Sequence, residues 1–415
     1  IVDILHRAFN TTPPPEPSEN VKYEELKKLH PLCDDLQQFV ENNPNYEEEP
    51  SSIRFLPNEV VEFFKVAKEK GASPGPDGLS AETILMLILN NGDKSNSFLK
   101  SLCSYFDRLV HHKMPKTIWR VLTSAKLFGV TKSDGVSQRP LANGLLFRKA
   151  IASISLQKFS GDITKALGPH QLGIAVTLGT EKIGHLFDHL FEDSNSFFIK
   201  TDFTNAFNSF NRSAAFQSLF EHIPKLGAIV YKFYGIPNTL LYDNFDPITV
   251  NMGSQQGCPF GPLLFCFAFK PILDQLAVEF PECLLKGYID DVSIAVKKNN
   301  IGIVQDIMRV FEDSARGINL KLNRSKCIIV VPDQTQSMIA PVAENAFKDL
   351  EESLAAFDKN RAYKSTLEIL NSVGFIQDNI VFNNRYMFIR CGMVNSIDTM
   401  LLAQLNTLEL CQFAL

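Results

Sequence analysis

From Leu56 onward apolar residues recur at helical spacing, first in PNEVVEFFKVAKEKG, which closes on Gly71. That spacing predicts a helix with one apolar stripe and a glycine stop. The turn SPGPDGLS separates it from a helix over AETILMLILNN, and another helix is expected near Phe98 to His112. KLFGVTKSDGVSQRPLA flanks Ser-Asp-Gly with two extended runs, the pattern of a β-hairpin. NSFFIKTD reads as a buried strand that ends on Asp202. NRSAAFQSLFEHI reads as a helix and GPLLFCFAFKPILDQLAVEF as a longer one. LLKGYIDDVSIAV holds two apolar runs around an acidic pair, a second hairpin. NIGIVQDIMRVFEDSARG is amphipathic helix, and INLKLNRSKCIIVV is strand, turn and strand. No internal repeat is visible. Strand, helix, hairpin, helix, strand is an α+β order, with helices backing one small antiparallel sheet.

Residues 1–50 break this pattern. They are acidic and proline-rich (TTPPPEPSEN, NYEEEPSS) and predict a partly ordered extension with a short helix near Glu24 to Val40. They also distort the overall charge. The chain carries −5, but its first 50 residues hold 11 Asp/Glu against 4 Lys/Arg; removing that −7 leaves +2. A mildly positive body can grip a phosphate backbone, though the total alone gives no hint of it.

The remaining composition mostly excludes. With 415 residues, two or three lobes are expected. The richest apolar run, Pro262 to Phe269, falls far short of the roughly 18 residues of a membrane span, so no membrane partner is expected. Ile1 is not Met and no signal segment follows it, so the chain reads as a fragment of a longer protein. Its eight cysteines form no Cys-x-x-Cys pair and have no His cluster beside them. Reduced, mostly buried thiols in an intracellular protein are the expectation, in nucleus or cytoplasm, rather than a zinc framework or a secreted disulfide scaffold.

Two acidic pairs invite comparison. Asp34-Asp35 sits in a polar acidic stretch and reads as a solvated face. Asp290-Asp291 lies between Leu284-Leu285 and Val292-Ile294-Val296, where charge is costly unless neutralised. A hairpin tip relieves part of that cost and a divalent cation more. Asp202 poses the same problem at a strand end. Asp202, Asp290 and Asp291 together would make a hard oxygen cage suited to Mg²⁺ or Mn²⁺ rather than zinc. Two such ions about 4 Å apart would serve in-line phosphoryl transfer. A surface turn with a few acids is the plainer alternative.

At this point several motifs stand in order. Tyr288-Ile289-Asp290-Asp291 resembles the Tyr-x-Asp-Asp turn of reverse transcriptases, most closely those of non-LTR (LINE-like) retrotransposons. Asp202 to Phe207 resembles the family's first palm motif, and Gln256-Gly257-Cys-Pro259-Phe-Gly261-Pro262 its Gln-Gly-x-Pro-x-Gly-Pro motif. Pro74-Gly75-Pro76-Asp77-Gly78, His170-Gln171-Leu-Gly173 and Leu322-Asn323-Arg-Ser-Lys326 resemble further family segments. The resemblance spans about residues 56 to 330, and Cys258 stands where relatives often carry Asp, which predicts altered loop packing.

The resemblance implies a right-hand polymerase: mainly helical fingers carrying a β-hairpin (51–195), an antiparallel-sheet palm backed by helices (196–335), and a partial connection or thumb (336–415). It implies catalytic roles for Asp202, Asp290, Asp291 and Lys326, with Phe203 joining the three acids in the metal set. Lys132, Arg139, Phe203, Ala206, Phe207, Gln256 and Gly257 would bind nucleotide. Lys132 and Arg139 would clamp the triphosphate. Phe207 would exclude a 2′-hydroxyl, and Lys326 would serve the leaving pyrophosphate. Partners would be an RNA template, a DNA primer and dNTPs, with two Mg²⁺ or Mn²⁺ ions and no small-molecule cofactor. Two alternatives stay open: an RNA-dependent RNA polymerase, and a catalytically decayed RNA-binding scaffold. No endonuclease, ribonuclease H or zinc knuckle is visible.

Overall fold

A helix that starts with proline costs its neighbours nothing, because that N–H would be unpaired anyway. Pro57–Glu69 begins this way, with the Glu59 carboxylate accepting from the Leu56 N–H at 3.0 Å. It buries Val60, Phe64 and Ala67 on one face and is followed by Gly71 at φ +61°. The computed structural model describes residues 18–43, 46, 53–89, 93–132, 137–192, 196–297, 303–332, 337–341 and 381–383. The chain forms two compact units, Ile1–Ser160 with Phe207–Phe265, and Gly161–Ala206 with Cys266–Leu415. It therefore passes between them three times, at Ser160–Gly161, Ala206–Phe207 and Phe265–Cys266.

In chain order the strands are β1 (Ala125–Thr131), β2 (Gln138–Gly144), β3 (Ser196–Thr201), β4 (Phe203–Thr204), β5 (Asn238–Leu241), β6 (Ile248–Val250), β7 (Leu284–Tyr288), β8 (Asp291–Lys297), β9 (Lys321–Leu322), β10 (Ile328–Pro332), β11 (Ser337–Pro341) and β12 (Val381–Asn383).

The first unit packs helices around an aromatic core and a four-stranded sheet, β2-β1-β5-β6, in which only β1 and β5 run parallel. Helix Asp93–His111 sends Phe106 against Phe55 and Phe147, with ring centroids 5.6 and 5.5 Å apart. The expected hairpin is β1–β2; its Ser-Asp-Gly tip lies outside the described residues. The single short helix expected near Glu24 to Val40 is two helices, Glu19–Lys28 and Asp35–Asn42. Pro31 between them cannot continue a helix. Tyr23 and Leu26 of the first pack into the cluster of Leu127, Ala142, Leu240 and Val250 under the sheet. Of the acidic pair read as solvated, Asp34 is exposed and Asp35 bonds the Ser213 hydroxyl.

The second unit carries a six-stranded sheet, β12-β11-β10-β3-β8-β7, with every pairing antiparallel, and a small β4–β9 pair. Helix Val304–Gly317 buries Val304, Ile307, Met308, Phe311 and Ala315, one stripe at helical spacing. Helix Phe260–Glu279 corrects one expectation. It is long and apolar enough to cross a membrane by length and composition. Most of its apolar side chains are buried in the protein, Leu263 to Phe269, Ile272, Leu273 and Leu276 among them, while Val278 is exposed. Six cysteines fall in described residues; all are free, and four are buried.

Candidate active site

Strand register brings the acids together. Thr201 of β3 pairs with Val292 of β8, and Lys200 with Ser293. Asp202 follows Thr201 at the end of β3, and Asp291 precedes Val292 at the start of β8. Directly opposed residues of an antiparallel pair project on the same face, so Lys200, Ser293 and Asp291 share one, and Asp202 is near enough for its charge to act on Asp290. Asp290 sits on the adjoining turn, where Tyr288 pairs with Asp291 and closes the β7–β8 hairpin. Ile289 has φ +59°, the mark of a tight turn whose first central residue is left-handed.

The charges are unbalanced. The Asp290 residue keeps some exposure, but atoms crowd its carboxyl group and push its pKa up to about 7. Burial is the largest cause, followed by the negative charge of Asp291; Asp202 adds to it, and Lys200 works against it. Lys200 is buried and lies 3.6 Å from the Asp291 carboxylate. Sequence reasoning passed over this lysine, although it stands two residues before Asp202 in the predicted strand. The buried Cys266 thiol is pushed well up by burial and by Asp290.

Other expected residues of this unit fall around the same strand end. The Asp202 carbonyl accepts from the Asn323 N–H at 2.8 Å, and the Cys327 sulfur lies 4.0 Å from it. This ties the Leu322–Lys326 segment to the start of β4. Lys326 itself is exposed, at the end of a short 3₁₀ turn. Phe203 is buried, its ring against Phe269 and Phe311 at 5.5 Å each. Its side chain therefore belongs to the core, and only its main chain is left for a ligand. Ala206 is also buried.

The first unit holds the rest. Lys132 is exposed and Arg139 part-exposed, on the two arms of the β1–β2 hairpin; the Lys132 N–H bonds the Ser137 carbonyl at 2.8 Å. The Ala142 N–H of β2 donates to the Gln256 carbonyl at 2.7 Å. Gly257 has φ +117°, and a methyl there would lie 2.6 Å from the Ala142 oxygen, so no other residue fits without displacement. Phe207 is part-exposed and stacks on Phe265, centroids 5.5 Å apart. Its carbonyl accepts from the Ser254 N–H at 2.7 Å. Cys258 is buried beside the Tyr234 phenol.

A residue that sequence reasoning missed organises this loop. The Arg212 guanidinium, 1% exposed, donates to the carbonyls of Gly253, Tyr234, Ile236 and Met252 and to Asn238 Oδ1, between 2.7 and 3.3 Å. In sequence it reads only as the second residue of the helix predicted over NRSAAFQSLFEHI.

The donors at the strand end suit a hard cation. They are carboxylates, and a divalent ion would relieve the crowding that raises Asp290. Among the described residues no three His, Cys, Asp or Glu side chains are already gathered as a metal cage. The acids are neighbours on one strand end, not a closed shell.

Comparison with known proteins decides the family. The family model described as "Reverse transcriptase (RNA-dependent DNA polymerase)" matches residues 131–365, more than half of the chain. The chain belongs to the reverse transcriptase family. It is also similar to the "Retrotransposable element SLACS 132 kDa protein" of Trypanosoma brucei gambiense, 21% identical over 352 residues. That similarity covers 78% of this chain and 28% of the relative, so the chain spans little more than a quarter of that protein's length. Together the two matches support a reverse transcriptase domain of a non-LTR retrotransposon.

Proposed function

We propose that this chain is the polymerase core of a retroelement protein, adding dNTPs to a primer 3′-hydroxyl on an RNA template. The observation that carries the reading is the strand end where β3–β8 pairing closes on Thr201 and Val292, with Asp202 following one strand, Asp291 opening the other, Asp290 on the adjoining turn, and both neighbours' charges felt by Asp290. The three acids and the Phe203 main chain would hold two Mg²⁺ or Mn²⁺ ions. When bound, these would lower the pKa of the attacking hydroxyl and neutralise charge on the phosphates.

The chain's own residues do the rest. Lys200 holds the Asp291 carboxylate in place. Asn323 fixes the Asp202 main chain, so the strand end does not fray as substrate arrives. Lys132 and Arg139 bind triphosphate oxygens, the arginine by its two-pronged donor set. Gln256 hydrogen-bonds the nucleotide beside Gly257, where the absent side chain allows close approach. Ala206 would leave room for the nucleotide by its small side chain. Phe207 presents a rigid ring with no group to receive a 2′-hydroxyl, and Lys326 brings positive charge and a proton to the leaving pyrophosphate.

Primer extension by the polypeptide in Mg²⁺, on matched RNA and DNA templates, tests this reading. RNA-templated incorporation of dNTPs is expected, and Asp202→Asn should lose it while staying folded. A folded wild-type chain that extends no primer, or one that prefers rNTPs, would overturn the proposal.

A further inference from the structure

Ile289 is a β-branched residue held at φ +59°, a backbone conformation such side chains rarely adopt. Something must hold it there, and it must do so next to Asp290. The holder is Gln171, 118 residues earlier and 1% exposed. Its Oε1 accepts from the Ile289 N–H at 2.7 Å, and its Nε2 donates to the Ile289 carbonyl at 3.0 Å. Oε1 also accepts from the Gly173 N–H at 3.0 Å. Two N–H groups on one side and a carbonyl on the other leave only this orientation of the amide satisfied. The N–H and the carbonyl of Ile289 belong to the two peptides that flank its α-carbon. One side-chain amide therefore fixes both φ and ψ of the strained residue.

Gln171 is itself clamped. His170 to Leu172 run beside β7, with the Gly287 N–H donating to the His170 carbonyl at 2.6 Å and the Leu172 N–H to the Gly287 carbonyl at 2.8 Å. Lys286 Nζ donates to the Pro169 carbonyl at 2.6 Å. Gly173 lies so close that a methyl there would collide with the Ile289 nitrogen. The backbone of one segment and the turn of the other have been brought to contact so that a single glutamine can span the gap.

We infer that Gln171 is a positioning residue for catalysis: it holds the Ile289 peptides in the left-handed turn that presents the Asp290 carboxylate to the metal site. The inference rests on the polymerase reading above, and its test separates the two. Three readouts are needed on the full chain: hydrogen exchange at the Ile289 amide, Mn²⁺ affinity from the free-ion electron paramagnetic resonance signal, and primer-extension kinetics. In Gln171→Leu the Ile289 amide should exchange about tenfold faster or more. Mn²⁺ should bind more weakly, and kcat should fall about tenfold with the KM values for dNTP and primer-template little changed. Ile289→Gly, which is at ease at positive φ, should restore part of that kcat in the double variant. Gln171→Glu keeps an acceptor for the two N–H groups but cannot donate to the Ile289 carbonyl; it serves where the leucine variant does not fold, and should exchange faster than wild type.

A folded Gln171→Leu protein with native exchange at Ile289 and native Mn²⁺ affinity would overturn the inference. So would a kcat loss that Ile289→Gly leaves purely additive. If the wild type extends no primer, the polymerase reading fails, while exchange and Mn²⁺ binding still decide whether Gln171 holds the turn.

Discussion

Arg212 in the first unit and Asp290 in the second are both charges withdrawn from water, and their surroundings could hardly differ more. Arg212 meets five neutral oxygens and no carboxylate. Its hydrogen-bonding capacity is used, and burial lowers its pKa only to about 9, so it stays charged at neutral pH. Asp290 meets two further acids and one indirect cation, and is pushed up to about 7. A buried charge whose partners are all internal is a fastening. A buried charge left in excess of its partners is poised to take something from outside.

The sharpest test of that contrast lies at Asp290. Asp290→Asn should cut polymerisation by about a thousandfold or more, as loss of one member of a catalytic unit does. Steady-state extension rates check this, and a folded variant with near-native rates would end the comparison. Arg212→Met should act on the fold instead. Stranding several buried carbonyls at about 1–3 kcal/mol each, it should cost roughly 3 kcal/mol or more. Urea unfolding would measure the loss, and Arg212→Lys should not recover it, because one ammonium cannot reach oxygens spread around a planar fork.

A smaller effect follows from the direction of the Asp290 shift. Its folded pKa, about 7, lies above the ordinary 3.8. Such a group lends stability that is complete below the unfolded value and lost as pH rises through the folded one. Without divalent ions, Asp290→Asn should therefore melt higher than wild type at pH 8, with the gap closing below about pH 4. Added Mg²⁺ should raise the wild-type midpoint and leave the variant unmoved, since only a ligand of the native state stabilises it. Scanning calorimetry at the two pH values would show both. Finally, Phe207→Val should lower the dNTP-to-rNTP ratio of kcat/KM about tenfold or more, with the metal dependence kept. An unchanged ratio would leave Phe207 as a partner for Phe265 and nothing else.

Much of the second unit was legible because its chemistry is local. The Tyr-Ile-Asp-Asp hairpin announces itself by apolar runs on both sides of an acidic pair, and β3 by its run into Asp202. Helix Val304–Gly317 shows its stripe openly. Helix Pro224–Tyr234 does not: from Leu226 to Tyr234 every residue is buried, so no polar face marks the period. Leu146–Lys158 hides for another reason, since its buried face includes Arg148 and Ser155, which a binary pattern counts as polar. Gln171 was visible as part of a motif but not as a clamp. Its partners are the main chain of a residue 118 positions away, and main-chain atoms carry no letter in a sequence. Arg212 escaped for the same reason.

The helix Glu19–Lys28 bears on where this protein can be cut. Glu25 accepts from the Gln138 N–H at 2.8 Å, one residue before Arg139, and Tyr23 stacks on Phe245 with centroids 4.5 Å apart. Leu26 lies against the hairpin beside Gly129. The family match begins at residue 131, which would tempt an experimenter to trim the acidic leader as dispensable. Trimming would bare the apolar cluster of Leu127, Ala142, Leu240 and Val250, a sticky surface of the kind that favours aggregation. Helix Glu19–Lys28 is part of the hairpin's own core, so any shortened version should keep residues 18–43 with it.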